Sequence, residues 1–499
     1  MDEFGPVGPF HNIADFFLFS QARDRRAIIG DRATWTYGEV ADLSSLYMAR
    51  LREAGVQPGE RVPMVLPDGP DYAAVLFAVV ALGGVAVMIN PELRTDHLTA
   101  ILDQADAPVA IVADRFLSPV GAAVPARTPI IEVSETPHPP EAAPAPSAVP
   151  VSLRDPALWL FSGGTTGAPK IVEQTHGSFI NTTKRYAQET LGYRSDDITI
   201  AVPRLFFGYA TGSALFFPFS VGAATVLFDE PPTPTTLLGR IRRHRPTILI
   251  TTPSAINGLL QEGEATAGDL LGLRFATSAG EALPETLYHR FQERFGVEIL
   301  DGLGTAEMWH IFITNTIGAV RPGTVGKAVP GFEVVCRDEE GNDLGPGEVG
   351  LLWVSGDSAA LGYFGQPDLT ASVFRDGWVI TGDLISIDTD GYVSHRGRAD
   401  DALKVKGKWL RPQEVESCLL EHPAVREAAV VGVPDEVGLV KPVAFVVRSA
   451  EVEESDLKQH VLERLEPYKH PRQVIFLDRF PVTHLGKVDR GALRRQVES

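Results

Sequence analysis

Five short segments carry residue types that could work on a polyphosphate. Ser162-Gly163-Gly164-Thr165-Thr166-Gly167-Ala168-Pro169-Lys170 combines glycines, hydroxyl donors and a cation in one loop. Glycines let backbone N–H groups approach a ligand closely, and hydroxyls with a lysine can then wrap phosphate oxygens. No Gly-Lys-Ser/Thr follows, so this is not a Walker A loop. A flexible surface turn would account for the glycines alone, but not for so many donors directly after the apolar run Ala157 to Phe161. Gly302-Leu303-Gly304-Thr305-Ala306-Glu307 offers a glycine platform for a flat ring and a carboxylate able to hold Mg²⁺. Thr381-Gly382-Asp383 offers an acceptor for both hydroxyls of a ribose. Gly397-Arg398-Ala399-Asp400-Asp401 and Leu485-Gly486-Lys487-Val488-Asp489-Arg490 add charges that, taken singly, read as solvated surface.

The elements that must position these segments follow from hydrophobic periodicity. Tyr37 to Gly55 reads as an amphipathic helix ending at glycine. Strand patterns at Arg61 to Leu66, Val85 to Ile89 and Pro108 to Ala113 alternate with helical ones, including Leu98 to Gln104. That alternation predicts a parallel, doubly wound α/β sheet. Further strands at Ala157 to Phe161, Thr247 to Thr251 and Phe275 to Ala279 end in small residues. In such sheets ligands sit beyond the carboxyl ends of strands. A Pro/Ala-rich stretch from Thr136 to Pro150 reads as an exposed linker. From about Gly323 short strands and turns predict a β-rich subdomain over about 323–399. A small α+β unit follows over 400–499, with helices at Gln413 to Leu420 and Glu454 to Leu465. The expected fold is therefore a large N-terminal α/β domain, residues 1–399, with two doubly wound sheets and the β-rich subdomain, plus a small mobile C-terminal domain.

Composition narrows the function classes. The chain has 499 residues, and at ~150 residues per unit that implies about three units. Its formal charge is −19, from 45 Lys+Arg against 64 Asp+Glu. Such a surface repels a nucleic-acid backbone and an anionic membrane at long range. A small anion held by a few local cations is still compatible with it. Two separated cysteines, Cys336 and Cys418, provide neither a disulfide framework nor a zinc motif, and suggest a reducing cytoplasm. No basic, then apolar, N-terminal signal pattern is present. The apolar stretch from Ala73 to Ile89 is broken by Gly83-Gly84, so helix, turn and buried strand are expected instead of a membrane span.

Taken together, in order and spacing, the five segments resemble the adenylate-forming superfamily of acyl- and aryl-CoA synthetases, adenylation domains and luciferase. The resemblance runs from Trp35-Thr36-Tyr37 to Lys487. Arg204-Leu205-Phe206-Phe207-Gly208-Tyr209 and Glu307-Met308-Trp309-His310-Ile311-Phe312 resemble benzoate-CoA ligases. The Ser162 to Lys170 loop with Thr175-His176 resembles dihydroxybenzoate-adenylating enzymes. The family joins a carboxylic acid to ATP, releases pyrophosphate and passes the acyl group to a thiol.

The resemblance implies roles residue by residue. Ser162, Gly163, Gly164, Thr165, Thr166, Gly167 and Lys170 would grip the β- and γ-phosphates. Glu307 would bind Mg²⁺. Asp383 would hold the ribose, with Arg398 nearby. Ala279-Gly280-Glu281 and Asp301-Gly302-Leu303, with Gly304 and Thr305, would line the nucleotide. Lys487 would bridge the acid and the α-phosphate. Asp400 would be the hinge about which the C-terminal domain rotates, bringing Lys404, Lys406, Gly407 and Lys408 toward a pantetheine channel. The acid pocket would comprise Phe207, also an aromatic gate, with Gly208, Tyr209, Gly304 and His310.

Gly208 replaces the asparagine of dihydroxybenzoate enzymes, which disfavours a 2-hydroxybenzoate and leaves extra volume for a substituted acid. Ile171 and Ala306 depart from the commonest pattern, and Trp409 stands close to the expected thiol route. The expected substrates are ATP, coenzyme A and an aromatic or similarly bulky carboxylic acid, with Mg²⁺ as cofactor and a monomer or homodimer in the cytoplasm. Loading of a carrier-protein phosphopantetheine, and a non-aromatic bulky acid, stand as alternatives. A nucleotide-binding protein without chemistry fits poorly with Lys487, Glu307 and Asp383 all present.

Overall fold

The structure is a computed structural model, and it describes residues 12–134, 136, 143–162, 170–405, 408–434, 440–481 and 488–498. Two large sheets dominate it. The first has nine strands, and Ile299–Gly304, Phe275–Ser278, Ile248–Thr251, Ile198–Ala201, Ala224–Val226 and Arg26–Ile29 run parallel across its middle. The second has seven strands, with Pro156–Ser162, Val85–Met88, Arg61–Val65, Ala110–Ala113 and Ile130–Val133 parallel. These strands are short, rich in Val, Ile and Ala, and mostly buried on both faces, as covered parallel sheets require.

The helix Pro70–Ala81 explains how the sheets join. It is apolar all round and every residue from Asp71 to Ala81 is buried. Its side chains share one hydrophobic cluster with Met64 and Leu158 of the seven-stranded sheet and Ile248 and Ile250 of the nine-stranded one. An all-round apolar helix needs cover on every side, which the two sheets provide. The apolar stretch at Ala73 to Ile89 is thus helix, turn and strand, and no helix among the described residues is long and apolar enough to cross a membrane. The amphipathic helix Tyr37–Glu53 packs alongside it.

A five-stranded antiparallel sheet forms the β-rich part, with Glu333–Arg337, Gly350–Ser355, Trp378–Ile387, Phe374–Arg375 and Val393–Arg398. Beyond it, Val425–Pro434, Val440–Arg448 and Gln473–Leu477 form a separate three-stranded sheet with helices Pro412–Leu420, Glu454–Leu462 and Arg490–Glu498. Two hydrophobic clusters there draw only on residues from Leu403 onward. The chain is thus a mixed α/β molecule with a large N-terminal sheet domain and a smaller C-terminal one. Residues 143–150 of the linker stretch form neither helix nor strand, although Val149 N–H bonds the Ala81 carbonyl at 2.8 Å.

The helix Tyr37–Glu53 starts at a capping box. Glu39 N–H donates to Thr36 Oγ1 at 3.2 Å, and Thr36 N–H donates to the Glu39 carboxylate at 2.7 Å. Thr36→Ala is expected to cost about 1 kcal/mol of stability, read as a lower urea midpoint with an unchanged slope.

Candidate active site

The phosphate-type loop is held at its base. Pro156–Ser162 and Lys170–Thr175 pair antiparallel, with Ser162 directly opposite Lys170. Gly163, Gly164, Thr165, Thr166 and Gly167 lie outside the described residues, but their two anchors stand side by side at the carboxyl end of a parallel strand. Gln174 Nε2 reaches from this hairpin to the Ala306 carbonyl at 2.7 Å, tying it to the second motif.

That second motif is a sharp reversal between Ile299–Gly304 and Ile311–Thr314. The ladder shifts register between Leu303 and Gly304. A Cβ at Gly304 would collide with the His310 carbonyl, so only glycine allows the approach. Thr305 Oγ1 caps the following turn by accepting from Met308 N–H at 3.3 Å. Trp309 then takes φ 64° and ψ −52°, and His310 N–H bonds the Met308 carbonyl at 2.8 Å. This is a γ-turn of the rare, strained kind. It sends Glu307 one way and His310 the other.

Glu307 faces the strand that pairs with the Lys170 hairpin. Its Oε1 accepts from the Tyr363 hydroxyl at 2.7 Å, and its backbone carbonyl accepts from Ala360 N–H at 2.8 Å. Lys170 Nζ lies 5.6 Å from the centre of the same Tyr363 ring. Burial, then the Glu307 charge, holds the Tyr363 hydroxyl protonated far above the usual phenol range. The second Glu307 oxygen makes no hydrogen bond among the described residues, which fits a carboxylate that gives one oxygen to Mg²⁺.

Asp383 sits on Trp378–Ile387, buried at 5% exposure. His395 Nε2 lies 3.1 Å from its Oδ1 and Arg398 Nη1 donates to its Oδ2 at 3.4 Å. Burial pushes this carboxyl up, but the His395 hydrogen bond and the Arg398 charge more than offset it, and it sits below its ordinary value. Arg398 also reaches Asp400 at 3.7 Å. The ribose-type acceptor and the expected hinge residue therefore share one guanidinium. Further along the chain, Arg490 grips Glu416 through both oxygens and lies 3.7 Å from Asp401.

Of the residues expected to form an acid pocket, Tyr209 and Gly304 both meet His310, and Gly208 lies against Trp309. Arg204 donates to the carbonyls of Phe228, Asp229 and Glu230, and Leu205 N–H to Asp68, which secures the segment leading to Phe207 and Gly208. The Tyr209 hydroxyl is 2.7 Å from Thr277 Oγ1. His310 is buried at 3% exposure, and its Nε2 lies 3.1 Å from the Tyr209 carbonyl. Ser213 Oγ lies 3.2 Å from the same Nε2; with Nε2 protonated it donates to the carbonyl, which only accepts, and Nδ1 is left a buried acceptor without a partner. Burial lowers the His310 pKa to about 3, so the ring is neutral near pH 7.

Gly212 makes room for that ring, since a Cβ there would sit 2.5 Å from His310 Cδ2. Gly208 corrects the reading from sequence. A Cβ there would meet Leu160 Cδ1 at 3.3 Å and the Trp309 carbonyl at 3.4 Å, so the missing side chain permits close packing and does not open free volume.

Asp301 ends the parallel part of its strand beside Ser278. Burial raises its carboxyl to about 8. Its Oδ1 is buried and unpartnered. Ala279 is buried, whereas Gly280 and Glu281 are exposed, and Glu281 accepts from Ser254 Oγ at 2.7 Å. Lys408 lies over the Tyr468 ring at 5.1 Å. Lys406, Gly407 and Lys487, and the side chain of Lys404, lie outside the described residues.

Tyr363, Gln174, His395, Thr277 and Gly212 escaped the sequence reading. None stands within a motif, and only Tyr363, in Leu361-Gly362-Tyr363, left a turn-like glycine signal.

Two measurements check this geometry. The folded pKa of Asp301 is raised, so its linked stability is present at low pH and is lost as pH climbs from the unfolded value near ~3.9 through about 8. Asp301→Asn should therefore melt progressively higher relative to the parent protein between pH 5 and pH 9, followed by calorimetry. Gly212→Ala should displace the imidazole and weaken binding of the acid substrate far more than that of ATP, measured by separate titrations.

Comparison with known proteins shows the family. The AMP-binding enzyme family matches residues 19–364, and the AMP-binding enzyme C-terminal domain matches residues 414–487. The chain is 39% identical over 482 residues to the benzoate–CoA ligase of Thauera aromatica, covering 93% of this chain and 92% of that protein. It is 35% identical to the crystal structure of a benzoate CoA ligase from Burkholderia xenovorans LB400, with a TM-score of 0.89 over 97% of this chain and 100% of that one. It also resembles the anthranilate CoA ligase AuaEII in complex with anthranoyl-AMP, at 33% identity and a TM-score of 0.91 over 98% of each chain. With matches of this extent at both ends of the molecule, the chain belongs to the adenylate-forming AMP-binding enzyme family.

Proposed function

We propose that this chain is an AMP-forming ligase that activates a benzoate-like carboxylic acid with ATP and passes the acyl group to coenzyme A. The observation that carries the reading is the reversal at 304–310. It turns Glu307 toward Tyr363 and the Lys170 hairpin, and buries His310 beside Tyr209. These contacts support a reading in which Glu307 serves phosphate chemistry and His310, three residues on, serves acid recognition. The benzoate- and anthranilate-CoA ligase relatives support the aryl acid and the CoA acceptor.

In the first half-reaction a carboxylate oxygen attacks the α-phosphorus of ATP and pyrophosphate leaves. Two anions must meet, so positioning and fixed charge are the protein's main contributions. Phe207, Gly208, Tyr209, Gly304 and His310 hold the acid in a water-poor pocket. Lys170 and the loop from Ser162 to Gly167 grip the β- and γ-phosphates. Asp383 accepts from the ribose hydroxyls, and Arg398 keeps it ionised. Ala279-Gly280-Glu281 and Asp301 to Thr305 line the base, with the unpartnered Asp301 oxygen an acceptor for its exocyclic amino group. Glu307 would hold Mg²⁺, which would supply neutralising charge to the phosphates. Lys487 neutralises the meeting carboxylate and α-phosphate.

In the second half-reaction the CoA sulfur attacks the acyl carbon and AMP leaves. Residues 400–499 act as a mobile domain turning about Asp400, withdrawing Lys487 and presenting Lys404, Lys406, Gly407 and Lys408 to the pantetheine. The charge of −19 disfavours an acidic carrier protein as the acceptor. The enzyme works in the cytoplasm.

An acid panel tests the reading by ATP–pyrophosphate exchange and then by thioester formation with CoA. Benzoates should support both, and exchange without thioester would refute CoA as the acceptor. Lys487→Ala should lower adenylation by at least ~10²–10³ while sparing thioester formation from supplied acyl-adenylate. Equal loss of both steps would contradict the domain rotation.

A further inference from the structure

We propose that Tyr363 is a positioning residue that sets the Glu307 carboxylate for its metal ion and steadies Lys170 beside it. This rests on the reading of Glu307 as the Mg²⁺ ligand. Tyr363 has a place fixed by the phosphate hairpin itself. Gly362–Tyr363 pairs antiparallel with Lys170–Thr175, Gly362 opposite Glu173 and Tyr363 opposite Val172. Backbone bonds on either side of it, Leu361 N–H to Glu173 and Phe364 N–H to Ile171, are both 2.9 Å. Tyr363 N–H also donates to Thr370 Oγ1 at 2.9 Å, which fastens this short strand to the helix Pro367–Val373. The backbone that carries the ring therefore cannot shift without moving the hairpin.

From that fixed base the hydroxyl donates to one Glu307 oxygen at 2.7 Å. The carboxylate of a glutamate is otherwise free to rotate about its last torsion. The hydrogen bond selects one orientation and leaves the second oxygen for the metal. The ring face meanwhile lies 5.6 Å from Lys170 Nζ, within cation–π range. One side chain thus contacts both the carboxylate that would hold the metal and the cation at the base of the loop. Partners that orient a metal ligand in this way typically contribute 10–100-fold to metal affinity.

The test uses the full-length protein, a non-hydrolysable ATP analogue, and Mn²⁺ as a paramagnetic substitute for Mg²⁺, with bound ion counted by electron paramagnetic resonance. Tyr363→Phe keeps the ring and should weaken Mn²⁺ binding by about 10–100-fold with an unchanged melting temperature. Tyr363→Leu should in addition raise the KM for ATP, since Lys170 loses its ring. Glu307→Gln is the reference. If Glu307→Gln loses Mn²⁺ and Tyr363→Phe binds it like the parent protein, the positioning role is wrong. If Glu307→Gln itself binds Mn²⁺ normally, the metal assignment of Glu307 fails instead.

Discussion

Everything at the site depends on a steric constraint at one reversal of the chain. Between Gly304 and His310 the backbone turns back so tightly that the Cβ position of Gly304 is filled by the His310 carbonyl. Trp309 pays with a positive φ, a conformation that costs about 1–3 kcal/mol in a non-glycine residue. Its indole offsets this by burial among Phe179, Phe216 and Phe217, with ring centres 4.6 to 5.8 Å away. Gln174 and the Ala360 amide pin the flanking carbonyls of Ala306 and Glu307. A looser turn would let Glu307 leave Tyr363 and His310 leave Tyr209.

Charge is distributed by the same logic. The molecule is acidic overall, yet the groups facing the site are separated by kind. Arg398 has its charge opposed by burial and more than restored by Asp383, Asp400, Glu307 and Asp401. Asp383 is kept ionised by His395 and Arg398, whereas Asp301, without a cation, is pushed up to about 8. Burial likewise lowers His310 to about 3 and leaves it a neutral hydrogen-bonding group. The two aspartates thus have different protonation behaviour because their partners differ, not because their chemistry does.

Arg398 and Arg490 extend this network to the C-terminal domain. Asp400 is paired with Arg398 of the ribose-type cluster, and Asp401 with Arg490, three residues beyond Lys487. Adjacent aspartates therefore engage opposite sides of the junction. Surface pairs of this kind contribute little to stability. They can exchange at low cost, which suits a junction better than a rigid core contact would.

Much of the fold was legible in the order of residues. Apolar runs such as Val85 to Ile89 and Phe275 to Ala279 bury both faces and read as covered strands, and the helix Tyr37–Glu53 announces itself by its period and the glycine that follows. The motif residues Lys170, Glu307, Asp383 and Arg398 were legible because their spacing is tied to a local turn. Tyr363 on Glu307, His395 on Asp383, Thr277 on Tyr209 and Gly212 under His310 were not. Nor was the tight packing that fills the space beside Gly208. Local sequence specifies which groups can do chemistry, because turns and strand ends are short-range. Which oxygen is occupied, which ring nitrogen holds the proton and how much room a glycine leaves depend on atoms brought from distant elements, and only packing brings those together.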